Sequence, residues 1–273
     1  MGEGPVVLIT GGSSGIGKAC VEGLSRASYR VFAASRSASE GPWEGVPSAF
    51  GLPMDVNCEA SVNDAIAQLL EAAGRLDVVV NCAGFGIGGS IEDTPLELAK
   101  EQFETNLFGT IRVCQAALPV LRDQGAGRLI NISSIAGRIA VPFQGLYTAT
   151  KYAIEGLTEA LRMEVKCFGV HVVLIEPGDF STGFTDSRQR ISHPRTDAYR
   201  EATERAMAAA ESDERRGHKP EEIARLLLRV LRKGKPKLRY TVGPMSQRLA
   251  AAFKPFLPAG YIEREVMKHY NVL

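Results

Sequence analysis

The chain has 273 residues, of which 45% are hydrophobic and 23% charged, and its formal net charge is +1. This length suffices for one domain with a complete core, and the near-balance of charge indicates no nucleic acid or strongly acidic partner. There is no basic segment followed by an apolar one at the start, and no apolar run of ~18 residues. We therefore expect a cytoplasmic protein without an integral membrane segment. Its five cysteines are scattered and odd in number, which predicts reduced thiols.

The first predicted element is a strand at residues 6–10, followed by a glycine-rich turn and a helical pattern to about residue 27. The turn does not fit Gly-x-Gly-x-x-Gly. Instead Thr10, Gly11, Gly15 and Gly17 fit Thr-Gly-x-x-x-Gly-x-Gly. A strand, a glycine turn and a helix N-terminus together offer backbone N–H groups to a phosphate. We therefore favour a dinucleotide-binding turn.

Three other interpretations of this turn stay open. A triphosphate P-loop nearly fits, but Ala19 stands where Ser or Thr must hold magnesium. The turn also matches the Gly-x-Ser-x-Gly elbow of serine hydrolases, with Ser13 as nucleophile. That elbow normally follows several strands and an earlier oxyanion loop, whereas this one follows the first strand. The fourth interpretation is a purely structural turn.

The second predicted strand, at residues 29–35, ends without the acidic residue that usually binds the ribose of NAD. Ser35 is followed by Arg36, whose guanidinium fork suits the 2′-phosphate of NADPH. One or two charge-assisted hydrogen bonds of about 1.5–3 kcal/mol each would give a clear NADPH preference. The alternative is a solvated arginine.

Three further segments in the N-terminal half of the chain contain candidate cofactor-binding residues. Residues 38–48 are predicted to form an irregular loop, and Asp55 ends the third strand, where it could accept from an adenine amino group or cap the next helix. The fourth strand, at residues 76–80, is wholly apolar, as expected of a strand covered on both faces. Asn81, Ala83 and Gly84 follow it, and the small residues allow a cofactor to approach the backbone. Residues 84–89 are predicted to form a mobile pocket wall.

A long helix is predicted over residues 95–122, with Asn106 near its middle. Asparagine competes for backbone hydrogen bonds inside helices, so its presence suggests a kink with a bound water. An exposed asparagine is the alternative. The fifth strand, at residues 128–133, leads directly into Ser134.

Tyr147 and Lys151 lie at the start of a helical pattern that covers residues 149–168. Side chains four residues apart share one helix face. To act near neutral pH, the phenol pKa must fall by roughly 2–3 units from 10, and a cation one turn away supplies part of that shift. A surface tyrosine beside a solvated lysine is the alternative.

A sixth strand, at residues 169–175, leads to Pro177, Gly178 and Thr182. Strand and helix thus alternate six times, which predicts an α/β fold with a doubly wound parallel sheet of about seven strands and helices on both faces. Ligands bind such sheets at the carboxyl ends of the strands. The candidates predicted to lie there are Gly11–Gly17, Arg36, Asp55, Asn81–Gly84, Ser134 and Pro177–Thr182. We predict a single domain over residues 1–273, with a substrate lid at 183–218 and a helical tail at 243–273. The tail could close the pocket, form a subunit contact or touch a membrane; we favour the first two.

Taken together, these motifs resemble the short-chain dehydrogenase/reductase family, more loosely its hydroxysteroid and retinol dehydrogenase-like branch. The matching segments are the 10–17 turn, Asn81 to Gly84, the Tyr147–Lys151 pair and Pro177-Gly178 with Thr182. The resemblance implies that Asn106, Ser134, Tyr147 and Lys151 are catalytic. It implies that the cofactor-binding residues are Thr10, Gly11, Ser13, Ser14, Gly15, Ile16, Gly17, Ser35, Arg36, Asp55, Val56, Asn81, Ala83, Gly84, Asn106, Tyr147, Lys151, Pro177, Gly178, Phe180 and Thr182.

The activity implied by the resemblance is hydride transfer between NADP(H) and a carbonyl or secondary alcohol. Tyr147 would supply the proton, and Asn106 would position a water that relays protons to Lys151. Apolar residues in the predicted pocket walls suggest a steroid, retinoid or lipid-like substrate. No metal is expected, and family analogy predicts a homodimer, with a tetramer as the alternative. A catalytically silent NADPH-binding regulator and the serine hydrolase remain alternatives.

Overall fold

The computed structural model describes residues 4–43, 45–191 and 194–272. Residues 1–3, 44, 192, 193 and 273, which belong to the expected single domain and, for 192 and 193, to the expected lid, lie outside this described part. The strands of the main sheet are β1 (Val6–Thr10), β2 (Arg30–Ser35), β3 (Gly41–Pro42), β4 (Ala49–Pro53), β5 (Val78–Asn81), β7 (Gly127–Ile132), β8 (Val170–Pro177) and β10 (Arg239–Val242). A separate two-stranded sheet is formed by β6 (Ile87–Gly88) and β9 (Gln189–Arg190).

The main sheet has the strand order β10-β8-β7-β5-β1-β2-β4-β3, so the chain reverses direction of winding between β1 and β5. All neighbouring strands run parallel except β3 and β4. Ile9 of β1 stands between Ala33 of β2 and Val80 of β5. The expected doubly wound α/β fold is confirmed. The expected irregular loop at 38–48 is corrected in one respect, because it contributes the two-residue antiparallel strand β3 to the edge of the sheet.

Helices cover both faces of the sheet. They are α1 (Gly15–Arg26), α2 (Glu59–Ala73), α3 (Leu96–Phe103), α4 (Gly109–Asp123), α5 (Gly145–Glu164), α6 (Phe184–Ser187), α7 (Arg200–Arg215), α8 (Glu221–Leu231), α9 (Met245–Phe253) and α10 (Ala259–His269). Alternate residues of β1 serve the two faces: Leu8 packs among side chains of α2, α4 and α5, whereas Ile9 packs among those of α1 and α8. This period of two explains why the central strands are apolar throughout.

Two helix predictions need correction. The predicted helix over residues 95–122 is interrupted, because Glu104–Phe108 forms a π-helical turn between α3 and α4. Asn106 lies in this turn and is buried, so the alternative of an exposed asparagine is wrong. The helix that carries Tyr147 begins at Gly145 and ends at Glu164, earlier at both ends than residues 149–168. A π-helical turn often marks a functional position in a helix.

The C-terminal third adds two further structures above the carboxyl ends of the strands. We call residues 183–218 the insertion, which contains α6, β9 and α7, and residues 243–273 the tail, which contains α9 and α10. In the described residues, no helix combines the length and apolar character needed to cross a membrane.

Candidate active site

The turn after β1 is held against the end of β5. The hydroxyl of Thr10 accepts hydrogen bonds from the backbone N–H groups of Cys82 (3.0 Å) and Ala83 (3.2 Å). Gly11 has a φ of +65°, and a Cβ at Gly17 would lie 2.2 Å from the Gly11 carbonyl oxygen. The glycines are therefore required for the close approach of turn, helix and strand. They leave an open crevice where the winding of the sheet reverses.

This crevice fits a dinucleotide. Helix α1 begins at Gly15, and the side chain of the preceding Ser14 makes no capping hydrogen bond. The first N–H groups of this 12-residue helix are thus available to an anion, which a helix N-terminus favours electrostatically. The backbone cradle and the open helix end match the chemistry of a pyrophosphate. Ser13 is exposed, and in the described part of the chain no histidine is hydrogen-bonded to it.

The ends of β2 and β4 lie beside the crevice. Arg36 is exposed directly after β2, and within the described residues it forms no ion pair. Asp55 accepts a hydrogen bond from the backbone N–H of Asn57 (3.0 Å), so one carboxylate oxygen already serves the turn before α2. Val56 is buried against Gly109. Arg36 is therefore the side chain here that is most available to a ligand.

The side chains of Asn81 and Asn106 make hydrogen bonds within the protein that the sequence did not predict. The amide of Asn81 donates to the side chain of Asn131 (2.9 Å), which joins β5 to β7 inside the sheet. The amide of Asn106 accepts from the backbone N–H of Phe85 (3.0 Å) and donates to its carbonyl (3.0 Å). It also donates to the hydroxyl of Thr150 on α5 (3.1 Å). Asn106 thus ties the 84–89 segment to the helix that carries Tyr147 and Lys151.

Tyr147 and Lys151 lie one turn apart on α5, as expected, and the Lys151 Nζ is 5.6 Å from the centroid of the Tyr147 ring. Lys151 is buried, and its ammonium donates to the carbonyl of Ile132 at 3.0 Å. Burial lowers the pKa of Lys151 to about 8, because desolvation disfavours its charged form.

The phenol differs from expectation. Burial raises the pKa of Tyr147 to about 12, and the hydrogen bond with Ser134 opposes this rise only partly. The expected fall of the phenol pKa is therefore absent from the protein alone, because desolvation outweighs the lowering effects of Ser134 and of the Arg188 charge. At neutral pH, Tyr147 is a protonated group inside a cavity, a state suited to donating a proton.

Ser134 links the ends of two strands beside Tyr147. Its hydroxyl accepts from the backbone N–H of Ala136 (3.0 Å) and donates to the carbonyl of Pro177 (3.4 Å). The serine therefore lies in the corner formed by β7, β8 and α5. A carbonyl oxygen in that corner would meet two hydroxyl groups, those of Ser134 and Tyr147.

One cavity of about 560 Å³ unites most of the predicted site residues. Those lining it are Gly11, Ser14, Gly15, Ile16, Gly17, Ala83, Gly84, Ser134, Tyr147, Lys151, Pro177, Gly178, Phe180 and Thr182. The predicted residues that do not line it are Thr10, Ser13, Ser35, Arg36, Asp55, Val56, Asn81 and Asn106.

The insertion forms one wall of this cavity. The ring of Phe184 lies 5.5 Å from the Tyr147 ring, centroid to centroid. The glycine-rich 84–89 segment is packed against the insertion: a Cβ at Gly88 would meet the sulfur of Met207 at 2.5 Å. The expected mobility of this wall stays a prediction. Behind this wall Arg188 is buried and paired with Glu214, which also accepts from Thr185 at 2.6 Å.

The tail forms the opposite wall. Gln247 on α9 is bound reciprocally to Asp179: its amide oxygen accepts from the Asp179 N–H at 3.0 Å, and its amide nitrogen donates to the carboxylate. A Cβ at Gly178 would lie 2.1 Å from that amide oxygen, so this glycine makes room for the tail. Burial raises the pKa of Asp179 to about 6. Asp179 and Gln247 were missed because a single polar residue in a loop or tail carries no spacing signal.

The fold and the cavity define an α/β protein of the oxidoreductase type, with a dinucleotide crevice beside a tyrosine–lysine–serine corner. The family model described as short chain dehydrogenase matches residues 5–192. The chain belongs to the short-chain dehydrogenase family, whose members bind nicotinamide cofactors.

Individual relatives cover nearly the whole chain. It is 38% identical over 269 residues to the 3-ketodihydrosphingosine reductase of Bacteroides thetaiotaomicron, covering 98% of both chains. It is 34% identical over 259 residues to estradiol 17-beta-dehydrogenase 1 of Rattus norvegicus, covering 87% of this chain and 73% of the relative. A short-chain dehydrogenase from Streptomyces avermitilis superposes with a TM-score of 0.81 at 28% identity, covering 100% of this chain and 98% of that one.

Proposed function

We propose that this protein is an NADP(H)-dependent oxidoreductase that reduces a hydrophobic ketone to a secondary alcohol, or catalyses the reverse reaction. The observation that carries the proposal is the shared cavity, in which Tyr147, Ser134 and Lys151 face the glycine turn that fits a dinucleotide. The protein contributes positioning and proton transfer, whereas the cofactor, when bound, supplies the hydride.

In the proposed mechanism, the hydroxyl groups of Ser134 and Tyr147 bind the substrate carbonyl oxygen. As hydride adds to the carbonyl carbon, the oxygen gains negative charge and takes the Tyr147 proton, so that an alcohol and a phenolate result. The Lys151 ammonium stabilises that phenolate from one helical turn away. Asn106 holds α5 in register through Thr150, and the expected water relay from Asn106 to Lys151 remains part of the proposal.

The preference for NADPH rests on Arg36. This guanidinium follows β2 at the edge of the crevice, where the 2′-substituent of the adenosine ribose is expected in such folds. Its exposure leaves all its donors available to a 2′-phosphate, and Ser35 precedes it in place of an acid.

The substrate proposed is a long-chain ketone that carries an amino group, as in the 3-ketodihydrosphingosine named for the 38% identical relative. Apolar lining by residues such as Ile139, Val141 and Ile262 suits an alkyl chain. Asp179 and Glu265 also line the cavity, and a carboxylate there suits a protonated amine. In this proposal the insertion acts as the lid over the substrate.

The test is turnover of NADPH with three ketones: 3-ketodihydrosphingosine, a long-chain 3-ketone lacking the amino group, and a steroid 17-ketone. The expected result is oxidation of NADPH with the first, at a higher kcat/KM than with the second. A preference for the steroid would contradict the proposed substrate but not the reaction. Absence of NADPH oxidation with a broad panel of ketones and aldehydes would favour the silent NADPH-binding regulator instead.

We also propose a homodimer formed through the outer faces of α4 and α5. The support is that Tyr152 and Met163 on α5, and Phe108 just before α4, are exposed large hydrophobic side chains. Light scattering would measure the mass, and a monomer at micromolar concentration would contradict this assembly. A cytoplasmic location remains part of the proposal, and fractionation of cells would test it.

A further inference from the structure

The tip of the tail exposes an unusual concentration of apolar side chains. We define the tail tip as residues 253–261, which connect α9 to α10. Its large apolar residues are Phe253, Phe256, Leu257 and Tyr261, and the exposed fraction of Phe256 reaches 81%. Folded proteins rarely leave a contiguous apolar patch of this kind in water unless it binds something.

The tail tip adjoins the mouth of the cavity. Ile262 and Val266 of α10 line the cavity, and so does Ala250 of α9. Tyr261 and Leu249, their neighbours in the chain, are exposed. One side of this helical pair therefore faces the substrate space while its tip faces outward. An apolar molecule held at the tip would be next to the entrance.

Charge distinguishes the possible occupants of this surface. Residues 243–273 contain four Lys or Arg and two Glu, whereas the rest of the chain contains 28 Lys or Arg and 29 Asp or Glu. The net positive charge thus resides in the tail, and Arg248 and Lys254 are the charged residues of segment 243–262. The Lys254 ammonium donates to the carbonyl of Arg138 and to the hydroxyl of Tyr152, so its charge is held beside the tip, whereas Arg248 forms no ion pair within the described residues. An apolar tip flanked by cations complements an anionic lipid surface, whereas two copies of it would repel each other.

We propose that the tail tip docks this protein peripherally on anionic lipid bilayers, inserting Phe253, Phe256 and Leu257 into the headgroup region. The aromatic rings enter the interface and Arg248 meets the headgroups, while Lys254 adds its positive charge and stays bound to Arg138 and Tyr152. The docked protein presents the mouth of its cavity to the bilayer, so that a substrate dissolved in lipid reaches it without crossing water. Docking does not depend on the proposed reaction, and each can fail without the other.

The test is cosedimentation with vesicles of phosphatidylcholine alone or with phosphatidylglycerol, for three forms of the full chain. These are the wild type, a tip variant with Phe253→Ser, Phe256→Ser and Leu257→Ser, and a control variant with Ile91→Ser, Leu96→Ser and Phe168→Ser. The exposed fractions of the control residues are 73%, 61% and 42%, against 54%, 81% and 38% for the tip residues. The control residues belong neither to the tail nor to α4 and α5, so the control removes as many apolar side chains outside the tail and the proposed dimer face.

The expected result is that wild type and control bind the phosphatidylglycerol vesicles, more weakly at high salt, while the tip variant binds at least about tenfold more weakly. The circular dichroism spectrum and the melting temperature should be the same for wild type and tip variant, which shows that the variant is folded whether or not the proposed reaction occurs. Wild-type protein that stays in the supernatant, or equal binding by both variants, would overturn the proposal. Light scattering provides a further outcome. If the wild type is an oligomer that does not bind vesicles, and only the tip variant dissociates into smaller species, the tip forms contacts between copies of the chain and the proposal is overturned.

Discussion

The two halves of the cavity come from different parts of the fold, one from the edge of the sheet and the other from the insertion and the tail. The half formed by the sheet edge contributes the glycine turn, Ser134, Tyr147 and Lys151, all placed by backbone geometry. The half formed by the insertion and the tail contributes Phe184, the apolar residues of α10, and Gln247, which holds Asp179 of the loop after β8. The residues proposed to carry out the reaction therefore lie at the ends of regular strands and on α5. The residues proposed to select the substrate come from segments added to the sheet, where side-chain packing decides their positions.

The largest effect is expected at Tyr147, in the sheet-edge half. Tyr147→Phe removes the proton donor while keeping the ring that packs against Phe184. Turnover should fall by about 10²–10⁴-fold, with NADPH binding retained, as measured by steady-state kinetics and cofactor fluorescence. Tyr152→Phe on the same helix is the matched control and should keep its activity. Equal activity of the two variants would remove Tyr147 from the mechanism.

The next effect concerns the cofactor. Arg36→Asp exchanges a cation for an anion at the proposed position of the 2′-phosphate, which should lower the NADPH:NADH ratio of kcat/KM by about 10–100-fold. Arg26→Asp, at the exposed end of α1, offers a control of equal charge change. A ratio that stays the same in both variants would show that Arg36 does not discriminate.

The third effect is a pH dependence set by Lys151. Because burial lowers its pKa to about 8, Lys151 is charged below that pH and loses its proton as pH rises through it. The reaction as proposed requires the Lys151 ammonium to stabilise the Tyr147 phenolate. In the wild type, kcat for ketone reduction should therefore decline by about tenfold per pH unit above about 8. Lys151→Arg should move this decline to higher pH, because the guanidinium stays charged. A profile that remains flat to pH 10 would contradict a role for the ammonium.

These comparisons also show what the sequence could and could not predict. The doubly wound parallel sheet followed from the alternation of strands and helices, and the shared face of Tyr147 and Lys151 followed from their spacing on a helix. The place of Ser134 beside them was implied by the family resemblance. The direction of the Tyr147 pKa shift did not follow, because it depends on how much water the insertion excludes. The hydrogen bond between Gln247 and Asp179 joins residues 68 positions apart. No local sequence pattern predicts such a contact.

The smallest effect is expected at Asp179, in the loop after β8 that the tail holds through Gln247. Burial raises the pKa of Asp179 to about 6, so its carboxylate is charged above that pH and is neutralised as pH falls through it. The KM for an amino-ketone should therefore rise below pH 6, and Asp179→Asn should raise it about fivefold at pH 7.5, a modest value because the site is partly solvated. The KM for the ketone lacking the amine should stay constant in both tests. A parallel rise for both ketones would assign Asp179 to holding the tail through Gln247.

The central claim is that the sheet-edge half holds a ketone beside a nicotinamide cofactor, which would supply the hydride, while Tyr147 protonates the ketone oxygen. The direct test is mass spectrometry of the alcohol formed from 3-ketodihydrosphingosine and NADPH deuterated at the transferable C4 position. We predict one deuterium on the carbinol carbon with wild-type protein, and at least a hundredfold less labelled product with Tyr147→Phe. An alcohol without the label, or labelled product at the same rate in both proteins, would contradict the account.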